Sequence, residues 1–161
     1  MDNHNPAAPK LPVPSDWPRI APALHYDRAG EAIDWLCRVF GFEVRLRVEG
    51  EGGAIVHSEL EYGDGLIMVA GAGPVPGRRG PVGRSPLSVG GANTQVLCVY
   101  VDDVDAHCAH AREAGAEILE ELRTDDYGPE YGTNRCYSAQ DPEGHRWWFM
   151  TRLSNPVPRA S

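Results

Sequence analysis

Apolar residues recur at helical spacing in two stretches of this chain and alternate with polar residues in several more. Ala32, Trp35, Leu36, Val39 and Phe40 fall on one face of a helix over 28–40, with Asp27 placed to cap its start and Gly41 just past its end. A second helix is predicted over 104–114, capped by Asp102 or Asp103 and ended by Gly115. Strands are predicted at 19–26, 43–48, 54–62, 66–69, 95–101, 116–122, 135–139 and 145–151. In the second of these Val44, Leu46 and Val48 alternate with Glu43, Arg45 and Arg47; in the third, Val56, Ser58 and Leu60 alternate with His57 and Glu59.

The order strand–helix–strand–strand–strand therefore occurs twice, and the junctions match in residues: Gly41-Phe42-Glu43-Val44 follows the first helix and Gly115-Ala116-Glu117-Ile118 the second. Each βαβββ unit covers one sheet face with its helix and leaves the other open, so two units make an eight-stranded, two-sheet α+β cleft where a small ligand would sit. One domain is expected: a Pro-rich tail over 1–17, the first unit over 18–71, a Gly/Pro-rich segment over 72–93 that reads as a mobile loop, lid or linker, the second unit over 94–153, and a short tail over 154–161.

The charge is −8, which argues against nucleic acid as a partner and leaves a cationic small molecule compatible. The longest apolar runs are too short to span a bilayer, and the polar, Pro-rich start has no signal-peptide core; a cytoplasmic location follows as the expectation. Cys37, Cys98, Cys108 and Cys136 are scattered without a C-x-x-C pair and read as buried reduced thiols. His107 and His110, three apart on the second helix, read as a solvated face; His25 as a surface residue; His145 as a structural hydrogen-bonder. Tyr127 and Tyr131 with Asp125, Asp126 and Glu130 make an acidic aromatic loop suited to a cation.

The repeat ends in Asp141-Pro142-Glu143-Gly144-His145-Arg146-Trp147, a tight turn feeding a last, aromatic strand. Together with Ala32-Ile33-Asp34-Trp35-Leu36, His57-Ser58-Glu59-Leu60 and Val99-Tyr100-Val101-Asp102-Asp103-Val104, this resembles the vicinal oxygen chelate superfamily, and within it the PhnB-like glyoxalase/bleomycin-resistance group. The resemblance implies a divalent ion held from four strands in the family's metal enzymes, at places that correspond here to Ile20, Val69, Val96 and Trp148. Three aliphatic side chains and an indole offer no ligand for such an ion, so no metal or cofactor is expected.

Strand parity then gives the cleft. Arg146, Trp148 and Met150 share its face on the last strand, Val96, Cys98 and Tyr100 on the fifth, Ile67 and Val69 on the fourth, and His57 and Glu59 on the third, with Tyr137 as a further polar group. The expected ligand-binding set is His57, Glu59, Tyr100, Tyr137 and Trp148, for a cationic or aromatic small molecule bound by a non-catalytic homodimer. The alternative is a lyase, isomerase or dioxygenase-type enzyme of the same superfamily, using His57 as base and Glu59 to orient it, or a metal site elsewhere in the chain.

Overall fold

The computed structural model describes residues 15–74, 77, 79 and 82–157; most of the Pro-rich tail lies outside them. The first unit runs β1 (Ala23–Tyr26), α1 (Ala29–Phe40), β2 (Glu43–Glu49), β3 (Ile55–Tyr62) and β4 (Gly65–Gly71). The second runs β5 (Val96–Tyr100), α2 (Val104–Glu113), β6 (Glu117–Asp126), β7 (Thr133–Gln140) and β8 (Arg146–Ser154). Each unit folds into one four-stranded mixed sheet, ordered β1-β4-β3-β2 and β5-β8-β7-β6, so the βαβββ repeat read from the sequence is the architecture. In both sheets the first strand pairs parallel to the last and the remaining pairs are antiparallel.

The helix-covered faces of the two sheets share a single apolar core. Leu36, Val39 and Phe40 of α1 and Trp147 and Phe149 of β8 are at most 1% exposed, as their spacing predicts. Phe40 joins the units: its ring centroid lies 5.5 Å from Trp147 and 4.7 Å from Phe149. Gly41 ends α1 in the left-handed conformation, where its N–H bonds the Cys37 carbonyl.

The Asp-Pro-Glu-Gly turn proves to be a buried clasp. Asp141 is 3% exposed; its carboxylate accepts from the Tyr26 hydroxyl at 2.6 Å, from Trp147 Nε1 at 3.1 Å and from the backbone N–H groups of Glu143 and His145. Burial pushes the Asp141 carboxyl up, and these donors pull it back toward the ionised form. Glu143 receives the backbone N–H of Asp27 at 2.6 Å and of Arg28 at 2.8 Å, which ties the residues leading into α1 to the other unit; among the described residues no side chain caps α1, Asp27, the residue expected to cap it, included. His145 Nε2 donates to the His25 carbonyl at 3.0 Å, the structural role expected of it. By contrast α2 caps itself, with Asp103 accepting from Ala106.

Three expectations change here. First, β1 is short, starting at Ala23 after Pro18 and Pro22, and Ile20 lies outside the sheet at 86% exposure. Second, the segment that follows β4 is anchored over 82–93: Gly73 and Gly83 bridge, Ser85 and Pro86 are buried, the Leu87 N–H bonds the Glu143 carbonyl, and Asn93 holds the carbonyl of Gly144. Burial of Ser85 and Pro86 against the clasp, unseen in a Gly/Pro-rich composition, fixes that half as a structural connector. Third, β6 runs on to Asp126 by pairing with Asn134 and Thr133, which leaves a shorter loop than predicted.

His107 also departs from its predicted place on a solvated helix face. Val104, His107, Cys108 and Ala111 form the inner stripe of α2, and the imidazole sits between Phe40, Tyr137 and Phe149. Its Nε2 donates to the Phe40 carbonyl at 3.1 Å and its Nδ1 accepts from the Tyr137 hydroxyl at 2.7 Å, which defines a neutral tautomer. His110 Nε2 reaches the Arg38 carbonyl at 2.9 Å. Burial lowers the His107 pKa below 6.5. A lowered histidine leaves stability intact above the unfolded value of 6.5 and removes it as pH falls below that value. His25, also lowered by burial and by His145, acts in the same direction. The urea midpoint is therefore expected to fall between pH 7.5 and 5.5, and to fall less in His107→Gln. Equal losses in both proteins would remove His107 from this account.

Candidate functional site

Pairing registers fix which side chains lie on the open face of each sheet. In the first unit Leu46, Glu59 and Met68 share one row, followed on the same face by Val48 with His57 and by Glu61 with Leu66. His57 and Glu59 thus lie where the alternation of β3 put them, with His57 Nε2 3.0 Å from Glu59 Oε1. The other Glu59 oxygen is 3.3 Å from Arg45 Nε. Arg45 also reaches Glu61 at 3.2 Å, the Asp16 carboxylate at 2.6 Å and the Trp17 ring at 5.6 Å. Residues 15–18 therefore lie against this face and reach the His57–Glu59 pair through one guanidinium. A register shift between Val44 and Leu46 turns Arg45, Leu46 and Val48 out onto the open face, contrary to the simple alternation.

In the second unit the open face carries Val96, Cys98 and Tyr100 of β5, Arg146, Trp148 and Met150 of β8, and Cys136 and Ser138 of β7. Arg123 of β6 lies with its guanidinium 4.9 Å from the Trp148 ring and bonds Glu120 and, at 3.0 and 3.1 Å, Asp125. These contacts hold the Arg123 pKa well up and the Asp125 carboxyl below its usual value. Arg152 donates to the Tyr100 hydroxyl at 2.8 Å and to the Tyr131 carbonyl at 3.1 Å, which ties the acidic aromatic loop to this face. Burial and the neighbouring Asp125 push the Cys136 thiol up to about 11, so it is a poor nucleophile. Cys98 is exposed on the open face, unlike the buried thiol expected of it.

Several expected site residues lie elsewhere. Tyr137 pairs with Phe149 on the helix side, is 0% exposed and is bonded to His107, so it lines no cleft. Ile67 and Val69 also face the core. A groove of about 470 Å³ at the seam between β4 and β5 brings together Ile20, Val96 and Tyr100 with Phe42 and Tyr62, but neither His57, Glu59 nor Trp148 lines it.

The registers also correct the metal-ligand places. Trp148 stands across from Ser138 and beside Cys98; Met68 stands across from Glu59 and beside Ala23. The open-face residues in these rows are therefore Ala23, Met68, Cys98 and Trp148; Met68 replaces the inward Val69 and Ala23 the off-sheet Ile20, while Val96 also keeps the open face, two residues before Cys98. One exposed thiol, one thioether, a methyl group and an indole do not fit a divalent ion that seeks imidazole and carboxylate. Among the described residues no three His, Cys, Asp or Glu side chains group closely enough to hold a metal.

The model of the Glyoxalase/Bleomycin resistance protein/Dioxygenase superfamily matches residues 21–149. The chain belongs to this superfamily. An uncharacterized protein of Mycobacterium tuberculosis is 32% identical over 140 residues, 87% of this chain and 75% of its own. The structure of TioX from Micromonospora sp. ML1 superposes with a TM-score of 0.65 at 33% identity, covering 83% of this chain and 98% of that one. A lactoylglutathione lyase from Agrobacterium tumefaciens shares the fold, with a TM-score of 0.56 at 16% identity over 86% of this chain and 94% of that one. Superfamily membership thus agrees with the resemblance carried by the repeat and the Asp-Pro-Glu-Gly turn. No helix among the described residues is long and apolar enough to cross a membrane.

Proposed function

We propose that the protein binds a small aromatic molecule on its open sheet faces, without a metal ion, as a cytoplasmic homodimer. The observation that supports this reading is the donor set at the corresponding open-face positions: Ala23, Met68, Cys98 and Trp148. A site that has an indole where the family's metal enzymes have a carboxylate is suited to apolar and stacking contact rather than to Lewis-acid chemistry. Apolar exposure on the same faces supports the dimer: Leu46, Val48, Val96 and Tyr100 are each 40% exposed or more.

Metal analysis of the purified protein tests the reading, and less than a tenth of an equivalent of zinc, nickel or iron is expected. One equivalent of any of them overturns it. Trp148→Glu is expected to stay metal-free after dialysis against zinc, because the new carboxylate and the Cys98 thiol make at most two ligands, and a zinc site takes three or four. Stoichiometric zinc in that variant would make the metal-enzyme reading the better one.

A second reading, a metal-free lyase or isomerase, is favoured by the 3.0 Å contact between His57 and Glu59, which orients the imidazole as a base requires. Arg45 weakens it by sharing the same carboxylate.

A further inference from the structure

The open face of the second unit holds polar atoms that the fold leaves without partners. Among the described residues, Ser138 is 0% exposed and its Oγ has no hydrogen bond, and Arg146 Nε and Asn134 Oδ1 are likewise buried atoms without a partner. Such groups cost free energy unless something completes them. Two of the three converge. Arg146 leaves β8 opposite Gln140 and ends 3.7 Å from Glu120, the residue that faces Ser138 across β6 and β7. Its side chain therefore crosses the Ser138 row. Asn134 lies four residues further along β7, opposite Arg152.

The sign of charge on this face follows from what its carboxylates already hold. Glu120 and Asp125 both bond Arg123, and Arg123 occupies the face of Trp148 on which a cationic ligand would stack. An ammonium there would have to displace an ion-paired guanidinium and settle near Arg146 and Arg152. An oxyanion meets the opposite situation: an unpartnered guanidinium N–H and a hydroxyl with nothing to donate to. The guanidinium of Arg123, bonded to Glu120 and Asp125 and 4.9 Å from the Trp148 ring, is itself a planar group on which a ring can stack.

We propose that this face, taken as the ligand-binding surface assigned above, binds the carboxylate of a planar aromatic ligand. Arg146 Nε and Ser138 Oγ donate to the carboxylate, and the ring system lies on the stack of Arg123 over Trp148. The ligand class is therefore anionic and aromatic, although the protein's net charge of −8 and the acidic loop point to a cation.

Calorimetric titration of the full chain with 2-naphthoate and with 2-naphthylmethylammonium tests this. The carboxylate is expected to bind about tenfold tighter or more, the scale of one charge-assisted hydrogen bond. Arg146→Gln is expected to weaken naphthoate at least about tenfold and Ser138→Ala severalfold, with far-ultraviolet dichroism unchanged in each. Arg146→Lys, which keeps the charge but not the Nε donor, should recover only part of the affinity. Binding of the ammonium alone would overturn the anionic assignment while leaving a small-molecule site in place. Naphthoate binding unaffected by Arg146→Gln would locate it elsewhere and overturn the proposal. If naphthoate gives no heat at millimolar concentration and Arg146→Gln instead weakens self-association, a carboxylate of a second copy fills the place and the proposal falls. Metal analysis bears separately on the small-molecule reading.

Discussion

Asp141→Ala is expected to lower unfolding free energy by about 3–5 kcal/mol, read from urea midpoints at constant slope. The size follows from the number of groups stranded together. The Tyr26 hydroxyl, the Trp147 indole N–H and the backbone N–H groups of Glu143 and His145 all lose their acceptor, and Asp141 is 3% exposed, so water reaches them poorly. Asp141→Asn should fall between wild type and Ala, since the amide keeps one acceptor oxygen but turns an N–H toward another donor. A loss under about 1 kcal/mol for Asp141→Ala would mean that the turn relaxes and resolvates, and that the clasp contributes little.

The second large effect is expected for Phe40→Ala, at about 3–5 kcal/mol, the usual range for removing a buried aromatic ring. Phe40 is 0% exposed and contacts Trp35, His107, Trp147 and Phe149, so the void opens where the two units meet. Because the ring is shared, the variant should also loosen the seam. Amide exchange is expected to rise in both α1 and β8, not in α1 alone. Faster exchange confined to α1 would show that the two units pack more independently than the shared core implies.

The architecture was legible because two periodicities and an internal repeat agree with one another, and each element had the residues its geometry needs. Most of the candidate site was legible for the same reason: the alternation of β3 placed His57 and Glu59 on the open face, that of β5 placed Tyr100 there and that of β8 placed Trp148 there. The errors have specific causes. Val69 and Trp148 each stand four residues after the glycine that precedes their strand, Gly65 and Gly144, and equating them treats the two closing turns as equal. Tyr62 pairs directly with Gly65, whereas Gln140 pairs with Arg146, so the second turn is longer and the same count lands on opposite faces. That is why Val69 points inward while Trp148 points outward.

The bulge beside Arg45 has no sequence mark, and it turns Leu46 and Val48 to the face that alternation assigned to polar residues. Tyr137 sits in Arg-Cys-Tyr-Ser-Ala, a run whose alternation favours neither face, and burial beside Phe149 decided it. Arg123 and Ser138 escaped notice because single polar residues in strands are common, and Arg146, though placed on this face, was given no partner there; only the cross-strand register brings the three together. His107 did carry a signal. Val104, His107, Cys108 and Ala111 share one helical stripe, and reading the two histidines for their spacing alone hid it.

The two units look alike, yet among the described residues only α2 carries a side-chain cap. Asp103 secures α2 from within its own unit, while the amides of Asp27 and Arg28, just before α1, are received by Glu143, more than a hundred residues downstream in the chain. Synthesis runs from the N-terminus, so the dependent half emerges from the ribosome before the half that completes it. Until Asp141 and Glu143 are made, the Tyr26 hydroxyl and the two amides before α1 lack these acceptors. The later-made unit thus supplies acceptors that the earlier one does not hold itself.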